Sequence, residues 1–203
     1  NKPFTLLGKV IPEGKRTVID LKIAKLHTRT TVNVPVIIEH SKNPGPVVLL
    51  LAGIHGDETN GVGIVREIID LKLNKPNNGT IICIPVFNIF GYLIQTREFP
   101  DGRDLNRMFP GTINGSLASQ FANQFSKKIA PYVDYIIDFH TGGGERDNIA
   151  QIRCNKDDAK GLELAKIFNP PMIVYSNTII KSLRETLHKM GKTVLLFEGG
   201  KSK

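Results

Sequence analysis

Short apolar runs bounded by glycine or proline recur along this chain, and they predict strands that are buried on both faces. The clearest runs cover residues 47–52, 134–139 and 193–197. From residue 47 onward such runs alternate with segments of helical periodicity, of which 57–73 is the most regular. This alternation predicts an α/β fold with three layers, in which a mostly parallel mixed sheet carries helices on both faces.

The other segments extend the same scheme. Before residue 40, two strand-like runs at 17–24 and 31–38 form a strand-rich amino-terminal part, and Pro35 favours an edge or bulged strand for the second run. Further strands are predicted at 80–87, 149–153 and 172–175, and further helices at about 116–130, 156–168 and 180–190. A long loop is expected at 88–115, and loops of this length within a compact domain are usually functional or disordered.

Three of the predicted strands lead directly into residues that can bind a metal or transfer a proton. His55 and Glu58 follow the first strand, His140 closes the second and Glu198 closes the third, and glycine lies next to each of these strand ends. Because the carboxyl ends of parallel strands meet at one edge of a sheet, these side chains are expected to converge there. Zinc accepts both imidazole and carboxylate ligands, so the sequence predicts a metal site, with a coincidence of strand ends as the alternative.

The predicted loop at 88–115 carries its own candidate chemistry. It contains three arginines and one asparagine close together in sequence, namely Arg97, Arg103, Asn106 and Arg107. A guanidinium group matches a carboxylate in a bidentate way, so these residues predict an anion clamp that the following apolar residues 108–110 hold against the body. The alternative is a solvated turn at residues 101–102.

Composition narrows the range of functions. With 203 residues, 40% of them hydrophobic, the chain can bury one sizeable core, and its two cysteines make no disulfide framework, so Cys83 is expected to pack in that core. The net charge of +8 is spread along the chain without interleaved aromatic residues, which favours small anionic substrates over a nucleic acid, with an ordinary protein surface as an equally open alternative. No run approaches the roughly 18 apolar residues of a membrane span, and no signal peptide is seen. We therefore expect a cytoplasmic protein without a membrane partner, and its oligomeric state stays open.

Separate predictions concern the positions and partners of five further residues. Asp138 precedes His140 by two positions and shares its face of the strand, either as a partner of that histidine or as a buried group bound by backbone. Arg153 is a candidate for reading the charge of a substrate. His27, His40 and His188 have no partner visible in the sequence and are expected at the surface.

In combination, these motifs closely resemble those of the succinylglutamate desuccinylase/aspartoacylase family. The resemblance rests on His55 and Glu58 in a GxHGxE turn, the DLNR sequence at 104–107, His140 before Thr-Gly and the strand-end Glu198, all in family order. It implies a zinc carboxypeptidase-like fold and a zinc-dependent hydrolase that cleaves the amide bond of a small N-acyl amino acid. Family members usually continue into a smaller carboxyl-terminal β domain. Because this chain ends at residue 203, we expect 1–203 to be a single catalytic domain with the second domain absent or truncated.

The resemblance also implies a role for each matching residue. His55, Glu58 and His140 would bind one Zn²⁺ per chain, and Glu198 would be the general base. Such a site lowers the pKa of a water towards roughly 7, and a nearby carboxylate can accept its proton.

The loop residues receive their roles in the same way. Arg97 would polarise the scissile carbonyl, whereas Asn106 and Arg107 would bind the substrate carboxylate. Asp104 would orient a ligand histidine, which is a common requirement of metal sites.

Two other functions use the same residues. A metallocarboxypeptidase acting on short peptides shares the ligands, the base and the carboxylate clamp. A non-catalytic zinc-binding or anion-binding module would keep the fold, although such a module has no need for the base Glu198 or for Arg97.

Overall fold

An eight-stranded sheet organises the chain, and the computed structural model describes residues 4–25, 27–144 and 146–202. In that part of the chain the strands are β1 (Phe4–Leu6), β2 (Lys9–Ile11), β3 (Lys15–Lys25), β4 (Thr31–His40), β5 (Val47–Ala52), β6 (Thr80–Ile84), β7 (Tyr135–Gly142), β8 (Asp147–Cys154), β9 (Met172–Tyr175) and β10 (Thr193–Lys201). The helices are α1 (Thr59–Asp70), α2 (Ile89–Ile94), α3 (Leu117–Lys128), α4 (Ala159–Phe168) and α5 (Leu183–Lys189). None of the described helices combines the length and the apolar character that crossing a membrane requires.

The sheet is mixed, with a parallel centre. Its strand order is β3-β4-β6-β5-β7-β10-β8-β9, and β1 pairs with β2 in a separate two-stranded sheet. The adjacent strands β6, β5, β7 and β10 run parallel, whereas β4 and β8 flank them in the antiparallel direction. The predicted mostly parallel mixed sheet is therefore confirmed, and the carboxyl ends of β5, β7 and β10 lie next to one another.

Helices cover both faces of this sheet, which explains why the central strands are apolar along their whole length. On one face, Val62 and Val65 of α1 pack in the same buried cluster as Leu50 of β5. On the other face, Phe121 of α3 and Leu183 of α5 share a cluster with neighbouring residues of β5 and β7. The predicted three-layer α/β/α architecture is confirmed.

Several predicted boundaries were wrong. The helix predicted over 57–73 spans only Thr59–Asp70, and Leu73 lies beyond its end with 67% of its surface exposed. The segment 88–115 is not simply a loop, because it contains α2 and a short 3-10 helix at Leu105–Arg107. Both elements are too short to show helical periodicity in the sequence. Asn88 caps α2 through its side chain, which accepts a hydrogen bond from the Gly91 backbone N–H at 2.9 Å.

The amino-terminal part also differs from expectation in two respects. Strand β4 lies inside the sheet, but its pairing with β6 covers only residues 37–40. Pro35 pairs with Asp20 of β3 and lies outside the register with β6, so its missing N–H removes no hydrogen bond there. His40 was expected at the surface, yet it is buried, and its Nδ1 lies 2.7 Å from the hydroxyl of Thr80. His27 and His188 are exposed, as predicted.

A cluster of phenylalanine rings attaches the 88–115 segment to the core. Phe87 lies directly after β6, and its ring centroid is 4.7 Å from that of Phe121, 5.2 Å from Phe125 and 6.4 Å from Phe109. All four side chains are essentially inaccessible to solvent. Phe109 is therefore the apolar anchor that the sequence predicted for this segment. Cys83, also predicted in the core, is buried, and burial raises the pKa of its thiol to about 12.

We expect Phe87→Ala to lower the free energy of unfolding by about 3–5 kcal/mol, because it removes a fully buried ring from a packed cluster. Chemical denaturation followed by circular dichroism would measure the change. Tyr132→Ala is the control, since Tyr132 is 47% exposed and its loss should cost at most about 1 kcal/mol. Equal effects of the two substitutions would contradict the assigned role of the cluster.

Candidate active site

The residues predicted to converge do lie at one edge of the sheet. His55 and Glu58 occupy the turn between β5 and α1, and β7 is the neighbour of β5. His140 of β7 and Glu198 of β10 are register partners in adjacent parallel strands, so their side chains project from the same face. Strand order therefore brings together groups that are far apart in the sequence.

The turn that carries His55 is held by the segment that follows β6. Gly53 has a φ of +65°, a backbone conformation that favours glycine, and its carbonyl accepts a hydrogen bond from the Asn88 backbone N–H at 2.7 Å. A Cβ on Gly56 would collide with the backbone of Gly91 and Tyr92 in α2. The glycines of the GxHGxE turn thus allow α2 to pack directly against the backbone of the candidate site.

Glu58 bridges the two histidines. Its Oε1 lies 2.7 Å from Nδ1 of His55, and its Oε2 lies 2.8 Å from Nδ1 of His140. All three side chains are buried, and one potential ligand atom from each falls within 4.8 Å of the other two. This geometry makes the three residues a group that could bind a metal ion.

A second carboxylate lies on the far side of each imidazole ring. Asp104 Oδ1 is 3.2 Å from His55 Nε2, and Asp138 Oδ2 is 2.9 Å from His140 Nε2. Of the two alternatives for Asp138, the structure shows the contact with His140. Such carboxylates fix the orientation of a histidine ligand and increase its basicity.

The contacts around the histidines require positive charge. A neutral imidazole donates a hydrogen bond from only one nitrogen, but both nitrogens of His55 and of His140 face carboxylate oxygens. Burial lowers the pKa of His140, but the charge of Asp138 and hydrogen bonds with Asp138 and Glu58 outweigh it, so the pKa lies well above its ordinary value. Burial raises the pKa of Glu58, but hydrogen bonds from both histidines bring it well below its ordinary range.

A divalent cation would also supply positive charge to these carboxylates. Two nitrogens and one carboxylate oxygen form a donor set that suits zinc and related borderline metals. A cation among Nδ1 of His55, Nδ1 of His140 and Glu58 would leave each Nε2–H to donate to its outer carboxylate. The residues present therefore fit a metal centre with three protein ligands.

Arg97 lies against this group. Its Nε and Nη2 are 3.1 and 2.9 Å from Oδ2 of Asp104, and its Nη1 is 3.4 Å from Oε1 of Glu58. Burial raises the pKa of Asp104, but hydrogen bonding with His55 and the charges of His55 and Arg97 lower it by more, so Asp104 is ionised at neutral pH. The side chain of Arg97 remains 36% exposed and so stays accessible to a ligand.

The other loop residues are only partly brought together. Asn106 is buried, and its Oδ1 accepts a hydrogen bond from the Leu183 backbone N–H at 2.8 Å. Arg107 Nη1 donates to the Asn106 carbonyl at 2.7 Å and lies 3.9 Å from Asp104. Arg103 was predicted as part of the anion clamp, but its side chain is 51% exposed and pairs with Asp101. Arg97, Asn106 and Arg107 therefore remain the candidates for the predicted anion clamp.

Glu198 contacts two residues of the antiparallel strand β8. Asn148 Nδ2 donates to Oε2 of Glu198 at 2.7 Å, and Arg153 Nη1 lies 3.5 Å from its Oε1. The sequence predicted that Arg153 recognises the charge of the substrate. It gave no signal for Asn148, because the pairing of β8 with β10 joins residues that are far apart in the sequence. Arg184 of α5 has different partners, since its Nη2 donates to Ser176 and to the Asn177 carbonyl. It is buried, and burial together with the charge of Arg153 lowers the pKa of its guanidinium.

Residues 44–203 match the profile of the succinylglutamate desuccinylase/aspartoacylase catalytic domain. The chain belongs to this family. The resemblance inferred from the motifs is thereby confirmed.

Individual relatives agree with this assignment. An N-alpha-acetyl-L-2,4-diaminobutyric acid deacetylase from Halomonas elongata is 32% identical over 149 residues, which cover 70% of this chain and 43% of that protein. A succinylglutamate desuccinylase/aspartoacylase from Rhodobacter sphaeroides has a TM-score of 0.81 at 26% identity, over 93% of this chain and 58% of its own. A metallo-carboxypeptidase from Burkholderia cenocepacia shares the fold, with a TM-score of 0.72 at 12% identity, over 91% of this chain and 55% of its own. The carboxypeptidase-like fold is confirmed, and the chain spans about half the length of these relatives.

We expect the protein to retain about one divalent ion per chain after incubation with Zn²⁺ or Co²⁺ and desalting, and His55→Ala to lose it. The loss should follow because two remaining ligands cannot hold the ion tightly. Elemental analysis by plasma mass spectrometry would measure it. His188→Ala, at an exposed position, should retain the metal. A folded wild type that retains no metal would contradict the proposed centre.

Proposed function

We propose that this chain is the catalytic domain of a zinc-dependent hydrolase that removes the acyl group from an N-acyl amino acid. The observation that carries this proposal is the buried group of His55, Glu58 and His140, with Glu198 on the next strand and Arg97 beside it. Three protein ligands are typical of catalytic zinc, because they leave one coordination position open. The similarity to a deacetylase supports the acyl amino acid as substrate.

Amide hydrolysis in this site would require an activated water molecule and a base that accepts its proton. A zinc ion in this site would acidify a water molecule and polarise the substrate carbonyl. Glu198 would accept the proton from the attacking water and pass it to the leaving amine. General acid–base catalysis of this kind contributes about 10²–10⁴-fold to the rate. The position of Glu198 next to His140 in the sheet supports the role of Glu198 as the base.

Arg97 would stabilise negative charge on the former carbonyl oxygen. The Arg97 side chain is partly exposed, and Asp104 fixes its orientation by accepting two hydrogen bonds at a single carboxylate oxygen. A charged donor held in place before the reaction costs little reorganisation when the oxyanion forms. Arg97 therefore combines accessibility with a fixed position.

Asn106 and Arg107 would bind the substrate carboxylate. The Oδ1 atom of Asn106 is bonded to the Leu183 backbone, which leaves its Nδ2 group as the donor for a ligand. Arg107 adds a positive charge on the same short 3-10 helix. A clamp at this point would orient the scissile amide towards the metal centre.

We expect the wild type with Zn²⁺ to hydrolyse N-acetyl or N-succinyl amino acids faster than dipeptides, and Glu198→Gln to lower kcat by about 10²–10⁴-fold because it removes the base. A coupled assay of the released amine would measure both. Zinc content should be unchanged in Glu198→Gln. Preferential cleavage of dipeptides would instead support the metallocarboxypeptidase alternative, and no hydrolysis of either class would contradict the proposed function.

We expect Arg97→Ala to lower kcat by about 10²–10³-fold, which is the usual effect of removing one oxyanion donor. Steady-state kinetics with the best substrate of the panel would test this expectation. Arg103→Ala is the matched control, because Arg103 lies on the same segment but is exposed and paired with Asp101. An unchanged turnover in Arg97→Ala would remove this residue from the mechanism.

A further inference from the structure

The carboxylate of Glu198 is held from one side by strand β8. Asn148 Nδ2 donates to Oε2 at 2.7 Å, while Arg153 Nη1 lies 3.5 Å from Oε1. The two contacts differ in quality. The Arg153 side chain is 37% exposed and its distance is long for a hydrogen bond, so solvent weakens that contact. The short hydrogen bond from Asn148 is therefore the stronger constraint on the orientation of Glu198.

A local irregularity in the sheet lies at this contact. The register between β10 and β8 shifts between Glu198 and Gly200, and the register between β10 and β7 also shifts after Glu198. Gln151 is the register partner of Glu198, whereas Asn148 pairs with Gly200. Gly200 has a φ of +75°, which is unfavourable for residues with a side chain. Bulges of this kind next to active sites often redirect a side chain.

The chemistry of an amide determines which group of Asn148 faces Glu198. A carboxylate accepts hydrogen bonds, and only the Nδ2 group of asparagine donates them. The terminal torsion of a glutamate is otherwise broad and roughly two-fold, so an unconstrained carboxylate samples many orientations. A donor at Oε2 fixes this torsion, and the second lone pair of Oε1 stays available to accept a proton.

We propose that Asn148 is a positioning residue that fixes the carboxylate of Glu198 for proton transfer. This inference rests on the proposed function, in which Glu198 is the base. Asn148 itself contacts neither the candidate metal ligands nor the carboxylate clamp among the contacts of the described residues. Its effect should therefore fall on turnover and leave substrate and metal binding unchanged.

The test compares two substitutions that remove the donor. Asn148→Ala removes the side chain, whereas Asn148→Asp keeps its shape and places a second carboxylate against Glu198. Misplacing a reacting group by about 1 Å can cost roughly 10²-fold, so we expect kcat to fall by about that factor in both variants. KM and zinc content should stay within about twofold of the wild type, as measured by steady-state kinetics and elemental analysis.

Gln151→Ala provides the matched control on the same strand. Its side-chain amide donates to the Ile149 carbonyl at 3.3 Å rather than to Glu198, so its kcat should equal that of the wild type. The inference would be overturned by wild-type kcat in both Asn148 variants, by an equal loss in Gln151→Ala, or by a loss that resides in KM or zinc content.

Failure of the proposed function would look different. The wild type would then be inactive on every acyl amino acid, but the orientation of Glu198 would remain measurable in crystal structures of the wild type and Asn148→Ala. We expect one ordered carboxylate orientation in the wild type and a reoriented or split one in the variant. An identical Glu198 orientation in both structures would overturn the inference.

Discussion

The rest of the candidate site depends on one carboxylate shared between two imidazole rings. Glu58 presents one oxygen to His55 and the other to His140, and Asp104 and Asp138 occupy the opposite sides of the rings. Placing three carboxylates together, with Glu58 and Asp138 buried and Asp104 partly exposed, is unfavourable unless positive charge lies among them. The arrangement is therefore one that could bind a metal ion, and the same need for positive charge explains why Arg97 and the two histidines lie so close to these carboxylates.

The fold provides this constraint through strand order and through one glycine turn. Because β7 lies between β5 and β10, the ends of three parallel strands place His55, His140 and Glu198 along one edge. Helix α2 then packs on the Gly56 backbone, and the same segment continues to Arg97 and Asp104. The Phe87 cluster anchors this segment to the core. Packing far from the candidate metal ligands thus decides where the charged groups around them lie.

The sequence predicted the parts of this site that have local signals. The apolar strands, the residues at their ends and the DLNR sequence are all visible in short windows, and family membership confirms the resemblance built on them. Prediction from the sequence failed where a residue's contact partner is distant in the chain. His40 looked like a surface residue because Thr80 is remote in sequence. Arg103 looked equivalent to Arg97 because the contact of Arg97 with Glu58, 39 positions away, has no local signal.

The sequence by itself determined the α/β architecture, the parallel centre of the sheet and the identity of the candidate metal ligands. Hydrophobic periodicity and the residues at strand ends are local patterns, so short stretches of sequence are sufficient to recognise them. Only the tertiary structure decided that α2 braces the turn before Glu58, that Asp138 contacts His140, and that Asn148 contacts Glu198 across a register shift. The physical reason is that these contacts arise from the pairing of strands and the packing of loops. The residues next to Glu198 in the chain do not indicate that the Asn148 side chain, 50 positions away, will lie 2.7 Å from its carboxylate.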